Sequence, residues 1–251
     1  MNKTLIYYTN GICKYSAEKS KIFIKKFFKT NVTLSDNIEN LNDYSMICIP
    51  GGIGSKVIDK LKFNSCKINN FINDGGTYFG ICCGAYLACQ NIHFDDFTKK
   101  GLSLVNTDSI GPVYLDSSQE RFDINNPVNI KIEPIFDIPN QTINNGYLHG
   151  GGYFNLNHNF ITDDFNQRFN YKNNAIQINN KIILEAQYQD LKPAIISKKL
   201  GKGNIILSHI HPEHEYSNLN LTFKRIFESY NINLEFDHNQ EYLINNYKFD
   251  Y

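Results

Sequence analysis

Gly80-Ile81-Cys82-Cys83-Gly84-Ala85-Tyr86 decides how this chain is read. The stretch has the form G-x-C-x-G, follows the extended apolar run Thr77-Tyr78-Phe79 and precedes a helix-like segment, Ala85 to Asn91. A strand that turns sharply into a helix lifts the middle residue of the turn out of the backbone, and glycines flank it where a Cβ has no room. The helix N-terminus behind such a turn favours the thiolate of a cysteine placed there. Here that residue is Cys82. Taken alone, the pattern fits a Gly-rich turn around a core cysteine equally well, because cysteine is among the most buried residue types.

A second segment, far downstream, tips the balance. Asn204 to Ser208 reads as an apolar strand that runs out into His209-Ile210-His211-Pro212-Glu213. A cysteine nucleophile needs a base to take its proton, and the base needs an acceptor to orient it. His211 and Glu213 supply both. In an extended segment their spacing puts the two side chains on one face, and Pro212 stiffens the chain between them. His209 falls on the same side if the strand continues, and reads equally as a substrate contact and as a packing residue. His214 reads as exposed. A metal site built from His209, His211 and His214 is set aside because Cys82 and Glu213 already account for the cluster. The six cysteines contain no C-x-x-C pair or zinc spacing, so no metal or other cofactor is expected. Cys48 lies in an apolar run and reads as a small core hydrophobe.

The surrounding pattern alternates strand and helix. Strands are expected over Leu5–Thr9, Asn31–Leu34, Met46–Ile49 and Thr77–Ile81. Ser16–Lys29 reads as an amphipathic helix with Ala17, Ile22, Ile24, Phe27 and Phe28 on its apolar face. Helical patterns run from the Pro50-Gly51-Gly52-Ile53-Gly54-Ser55 turn through Asp74. Ser217–Tyr230 is expected to be a terminal helix with Leu221, Phe223, Ile226 and Phe227 inward, and residues after Glu235 read either as a packed appendage or as a frayed tail. The alternation predicts an α/β fold with a mostly parallel sheet flanked by helices. The region from Leu102 to Ile183 is richer in short strand patterns and is expected to add antiparallel strands. Ligands in such sheets lie outside the carboxyl ends of the strands. The turns after Ile49, Ile81 and Ser208 all belong to that edge, which brings Cys82, His211 and the Gly51-Gly52 turn together.

At 251 residues and 41% hydrophobic content, with no Pro/Ser-rich linker or charge run, the chain reads as a single domain over residues 1–251. Its core is placed at about residues 4–215, followed by a helix and tail over 216–251. The formal net charge is zero, which argues against a nucleic-acid surface and gives no reason to expect attraction to anionic membranes. The apolar run at Met1–Tyr8 is too short for a secretory signal, and no stretch approaches the roughly 20 apolar residues of a membrane span. A soluble, cytoplasmic protein is expected. The Pro50–Ser55 turn lacks the Gly-Lys-Ser/Thr ending of a phosphate loop. Gly150-Gly151-Gly152 reads either as backbone brought close to a ligand, with N–H groups cradling an anion, or as a flexible loop.

These pieces together resemble the N-terminal domain of biotin-protein ligases and its stand-alone bacterial relatives, within the class I glutamine amidotransferase-like superfamily. The matching segments are Pro50-Gly51-Gly52, the Gly80–Tyr86 elbow, Gly150-Gly151-Gly152-Tyr153-Phe154, Leu184-Glu185-Ala186-Gln187-Tyr188, and Gly201-Lys202-Gly203 leading to His211-Pro212-Glu213. They span roughly residues 4 to 215. The resemblance implies a flavodoxin-like sheet, a Cys82–His211–Glu213 triad, and an oxyanion hole made by the backbone N–H groups of Gly52 and Cys83. It implies a small-molecule amide or glutamine-like substrate, with Gly51, Tyr86, Gly151, Gly152 and His209 as candidate substrate contacts. It also implies a synthase or acceptor protein as partner if ammonia is passed on. Where the subgroup has alanine after the nucleophile, this chain has Cys83, whose backbone can still donate. No Gly-Arg-Gly-Arg-type adenylate loop is present, so biotin transfer by this chain is not expected, and Gly201-Lys202-Gly203 reads as a tight turn between two strands. A non-catalytic binding or regulatory module on the same fold is the alternative, because a fold does not establish chemistry. A peptidase or thiol-dependent detoxification enzyme of the wider superfamily is a third reading, disfavoured by the His-Pro-Glu run.

Overall fold

The computed structural model describes residues 2–113, 127–131, 143–156, 160–161, 182–188, 190–230 and 232. Along the chain these form β1 (Asn2–Tyr7), α1 (Lys14–Phe27), β2 (Thr30–Ser35), β3 (Met46–Ile49), α2 (Gly54–Lys62), α3 (Ser65–Asn73), β4 (Thr77–Ile81), α4 (Cys83–Ala88), β5 (Asn91–Phe94), β6 (Phe97–Lys100) and β7 (Asp108–Gly111). There follow β8 (Pro127–Lys131), β9 (Ile143–Tyr147), β10 (Tyr153–Asn155), β11 (Phe160–Ile161), β12 (Ile182–Tyr188), β13 (Pro193–Leu200), β14 (Gly203–Ser208) and α5 (Asn220–Ser229). The expected appendage after Glu235 lies outside the described residues.

The main sheet runs β2-β1-β3-β4-β14-β13-β12-β8-β9, with β11 beside β12. Its first five strands are all parallel, in the order of a flavodoxin-like fold. Beyond β14 the sheet continues through antiparallel pairs, and Gly201-Lys202 forms the turn that joins β13 to β14. A second, smaller sheet runs β10-β7-β5-β6. All residues of β3, β4 and β14 are buried, which is why those segments read as continuous apolar runs instead of alternating ones.

Residues on neighbouring strand positions face opposite ways, and β4 uses this to hold a helix on each side. Phe79 packs on one face against Phe223 and Phe227 of α5, at ring-centroid distances of 5.6 and 5.7 Å. Phe23 and Phe27 of α1 join the same cluster at 5.5 Å from Phe223 and Phe227. Each such ring contributes about 1.5–3 kcal/mol through burial. Tyr78 turns to the other face, where its hydroxyl donates to the carbonyl of Gly84 in α4 at 2.8 Å.

Several expected boundaries shift, each for a tertiary reason. The helix after the elbow stops at Ala88 instead of Asn91, because the loop at 101–105 caps its C-terminal end. The N–H groups of Leu102, Leu104 and Ser103 donate to the carbonyls of Leu87, Ala88 and Cys89 at 2.8, 2.9 and 3.1 Å. The helical stretch through Asp74 is two helices broken at Phe63-Asn64. Ile22, expected on the apolar face of α1, is 56% exposed. Leu221 is half-buried, and Thr222 takes the inward position beside Phe223, Ile226 and Phe227.

Candidate functional site

The elbow sits between the carboxyl ends of β3, β4 and β14. Cys82 has φ 46° and ψ −100°, a conformation that costs a residue with a side chain about 1–3 kcal/mol and persists only where the surroundings hold it. Three hydrogen bonds hold it. The Cys82 N–H donates to the Ser208 carbonyl at 2.7 Å, and the Cys82 carbonyl accepts from Ala85 and Tyr86, each at 3.0 Å. A Cβ on Gly84 would collide with the carbonyl of Ile49, and one on Gly80 would lie 2.6 Å from the carbonyl of Gly84. The glycines of the motif therefore mark how closely the turn packs on β3 and on itself. The Cys82 side chain is 6% exposed, and its Sγ lies 3.6 Å from the carbonyl oxygen of His149.

The strand expected to carry His211 and Glu213 ends earlier than the sequence implied. β14 stops at Ser208, whose Oγ donates to the Ile210 carbonyl at 2.7 Å. His211 then pairs singly with Tyr147, and the N–H of His214 closes a turn on the His211 carbonyl at 3.2 Å. His211 and Glu213 thus meet across a turn, and strand alternation is not what aligns them. His211 Nδ1 lies 2.8 Å from Glu213 Oε1, and both residues are buried. Burial works against a charge on this imidazole. The charges of Glu213 and Cys82, together with the hydrogen bond to Glu213, outweigh it and hold His211 well above the ordinary histidine range. The Nε2 atom is buried and has no hydrogen-bond partner among the described residues.

One residue of the site carried no sequence signal. Ser16, in the first turn of α1, donates from Oγ to Glu213 Oε1 at 2.7 Å and accepts from the Gly51 N–H at 2.9 Å. Nothing local distinguishes this serine, because its partners lie in other segments of the chain. The Gly50s turn is tied to the start of α1 by Cys13 N–H to Gly51 carbonyl (2.9 Å) and Ile53 N–H to Gly11 carbonyl (2.7 Å). Those two bonds form the Ile12–Gly52 bridge and leave the N–H of Gly52 out of it. A Cβ on Gly51 would lie 2.5 Å from Cε1 of His211, so this glycine admits the imidazole. Cys83 opens α4, and its thiol is free and buried; burial pushes it well above the usual thiol range.

The Gly150-Gly151-Gly152 turn is held by its carbonyls. Gly150 accepts from the Tyr86 hydroxyl at 3.2 Å, Gly151 from the Val113 N–H at 2.9 Å and Gly152 from the Tyr188 hydroxyl at 2.8 Å. The Tyr86 hydroxyl is therefore committed to this turn. His209 is fully buried. Its Nε2 lies 2.8 Å from Ser109 Oγ, and its ring packs 4.5 Å from that of Tyr86 and 4.3 Å from that of Phe154. Desolvation lowers its pKa to about 3. Of the two roles open to His209, these are the surroundings of a packing residue. His214, expected to be exposed, is buried: its ring stacks on Tyr147 with centroids 3.7 Å and planes 12° apart. Among the described residues no group of three His, Cys, Asp or Glu side chains is placed to hold a metal ion, and no helix is long and apolar enough to cross a membrane.

Comparison with known proteins places the chain in a family. Residues 3–242 match the family described as biotin-protein ligase, N terminal. An uncharacterised protein of Chlamydia muridarum is 27% identical over 179 residues, covering 67% of this chain and 60% of that protein. A biotin–protein ligase of Schizosaccharomyces pombe is 28% identical over 156 residues, covering 59% of this chain but 22% of the ligase. Both relatives are thus considerably longer than the part matched here. Among solved structures, a glutamine amidotransferase superposes with a TM-score of 0.61 at 12% identity, covering 90% of this chain and 98% of its own. At that identity the likeness is one of fold.

Proposed function

This chain belongs to the biotin-protein ligase N-terminal family, and from that membership we propose a cysteine-dependent amide hydrolase or amidotransferase working through Cys82, His211 and Glu213. The observation that carries the reading is the state of His211. One ring nitrogen is held by a buried carboxylate, while the other is buried with no hydrogen-bond partner among the described residues, and the Cys82 side chain acts on the ring by charge. A base that is oriented at Nδ1 and open at Nε2 has what a thiol nucleophile requires.

In the proposed reaction Sγ of Cys82 attacks the carboxamide carbon and its proton passes to Nε2. The N–H groups of Gly52 and Cys83 receive the oxyanion, a contribution worth about 10²- to 10³-fold per donor in a well-studied hydrolase. Collapse breaks the C–N bond, and Nε2 returns the proton to the leaving nitrogen. Water activated by Nε2 then cleaves the acyl-thioester, releasing the acid and restoring the thiol. The proposed substrate is a small amide, glutamine or a relative of it. In the amidotransferase form ammonia goes to a synthase or acceptor partner, and in the hydrolase form it is released. No step calls for a cofactor, and biotin transfer is not part of the proposal.

A non-catalytic binding module is the second reading, favoured by the Cys82 thiol resting on the His149 carbonyl and not on His211. Alkylation of Cys82 by iodoacetamide, followed across pH by peptide mass spectrometry, separates the two. The catalytic reading expects His211→Ala to slow alkylation at neutral pH by roughly tenfold or more and to move the profile to higher pH. An unchanged profile in that variant, or full amide turnover by Cys82→Ser, sinks it.

A further inference from the structure

We infer that Ser16 is the residue that positions the proposed machinery, holding the carboxylate behind the base and the turn that carries the oxyanion donor with a single hydroxyl. The inference rests on the catalytic reading above and assigns a role to a residue outside the proposed triad.

The hydrogen-bond directions follow from the atoms present. A backbone N–H can only donate, so the bond from Gly51 at 2.9 Å requires the Ser16 oxygen to accept. A hydroxyl has one proton, and the remaining partner is Glu213 Oε1 at 2.7 Å. That oxygen also receives His211 Nδ1 at 2.8 Å, so two donors converge on one carboxylate oxygen. Donation to a charged acceptor is stronger than donation to a neutral one, and Ser16 is buried at 3% exposure, where water does not compete for either partner. The other carboxylate oxygen of Glu213 is buried and has no partner among the described residues. The carboxylate's direction is therefore set largely through the oxygen that Ser16 and His211 share.

The second half of the bridge fixes the Gly51-Gly52 turn. Gly51 is held at its N–H by Ser16 and at its carbonyl by the N–H of Cys13. A Cβ placed on it would lie 3.1 Å from Ser16 Oγ and 2.5 Å from His211 Cε1. Gly51 is thus enclosed between the serine and the imidazole, and the next residue carries the proposed oxyanion N–H. A displacement at Ser16 reaches both the base and the oxyanion donor, although Ser16 has no role as nucleophile or base. Catalytic geometry is sensitive to such displacement, since about 1 Å can cost about 10²-fold in rate.

The test uses two reagents on the full chain. Iodoacetamide reports the Cys82–His211 pair alone. p-Nitrophenyl acetate acylates Cys82 by forming the S–C bond, passing the thiol proton to His211 and expelling p-nitrophenolate, and it also draws on the oxyanion donors. Ser16→Ala is expected to slow acylation roughly ten- to hundredfold and alkylation clearly less, while Ser16→Thr, which keeps the hydroxyl, recovers most of the acylation rate. If Ser16→Ala does not fold, Ser16→Cys, with its weaker hydrogen-bonding group, takes its place in the same comparison. Acylation at the wild-type rate in the Ala or Cys variant overturns the inference, as does an equal loss in Thr. His211→Ala is run alongside: if it slows neither reagent, the catalytic reading itself fails. If it slows both while the Ser16 variants behave as wild type, only the role of Ser16 is lost.

Discussion

The thiol of Cys82 rests 3.6 Å from the carbonyl oxygen of His149, while Nε2 of His211 is left without a hydrogen bond among the described residues. A carbonyl can hold the thiol proton but cannot remove it. In the proposed reaction the sulfur leaves this acceptor before the imidazole acts on it, so on that reading the turn at 149–152 bears on the reactivity of Cys82.

That turn is tied to the helix of the elbow by the Tyr86 hydroxyl. Tyr86→Phe removes this tie, worth about 1 kcal/mol or roughly fivefold in an equilibrium. Alkylation of Cys82 in this variant is expected to quicken by up to about that factor, measured by the same peptide assay. A slower reaction would mean that the His149 carbonyl helps the thiol and does not restrain it.

Glu213 raises the proton affinity of its neighbour. Burial lowers the pKa of His211, and the charges of Glu213 and Cys82 raise it by more. In Glu213→Gln the opposing charge of the carboxylate is gone, and the imidazole is expected to titrate at lower pH, as followed by NMR of the ring protons. The linkage has a definite sign. Because the folded value is raised, the pair's contribution to stability is complete below the ordinary histidine value near 6.5 and is lost as pH rises through the folded value. Thermal unfolding of Glu213→Gln should show less of this alkaline loss.

His209 contributes in the opposite direction. Its folded pKa is lowered to about 3 by desolvation, so the fold holds it neutral while the unfolded chain takes up a proton below about 6.5. Its contribution is therefore present above that value and is lost as pH falls toward 3, at up to about 1.4 kcal/mol per pH unit. In His209→Gln the acid limb of urea-unfolding midpoint against pH should flatten by up to one proton. An unaltered slope would show that His209 is protonated in the fold.

The elbow stores strain that a glycine can release. Cys82→Gly and Cys82→Ala both remove the thiol, but only glycine adopts φ 46° without a Cβ penalty. The glycine variant is expected to be more stable than the alanine variant by about 1 kcal/mol or more, read from urea denaturation. Equal stability would place the strain elsewhere or nowhere.

Much of the architecture was legible because it is local. The apolar runs at 46–49, 77–81 and 204–208 become fully buried parallel strands, since a strand covered on both faces has no polar side to show. The alternation of those runs with helical patterns, and the turns that end them, were enough to place Cys82 and His211 at one edge of a flavodoxin-like sheet. Where helices stop was less legible. The end of α4 at Ala88 depends on N–H groups supplied by residues 102–104, and no local pattern carries that information.

What the sequence determined by itself was the order of elements and the residue types at the end of each parallel strand, because periodicity and glycine spacing act over a few residues. Only the tertiary structure decided how those ends are joined. It turned His211 and Glu213 into a turn instead of a strand, sealed His209 among aromatic rings, stacked His214 on Tyr147, and set Ser16 between Glu213 and Gly51. Hydrogen bonds of this kind act over about 3 Å in space between residues nearly two hundred positions apart in the chain, and such a distance leaves no trace in local sequence pattern.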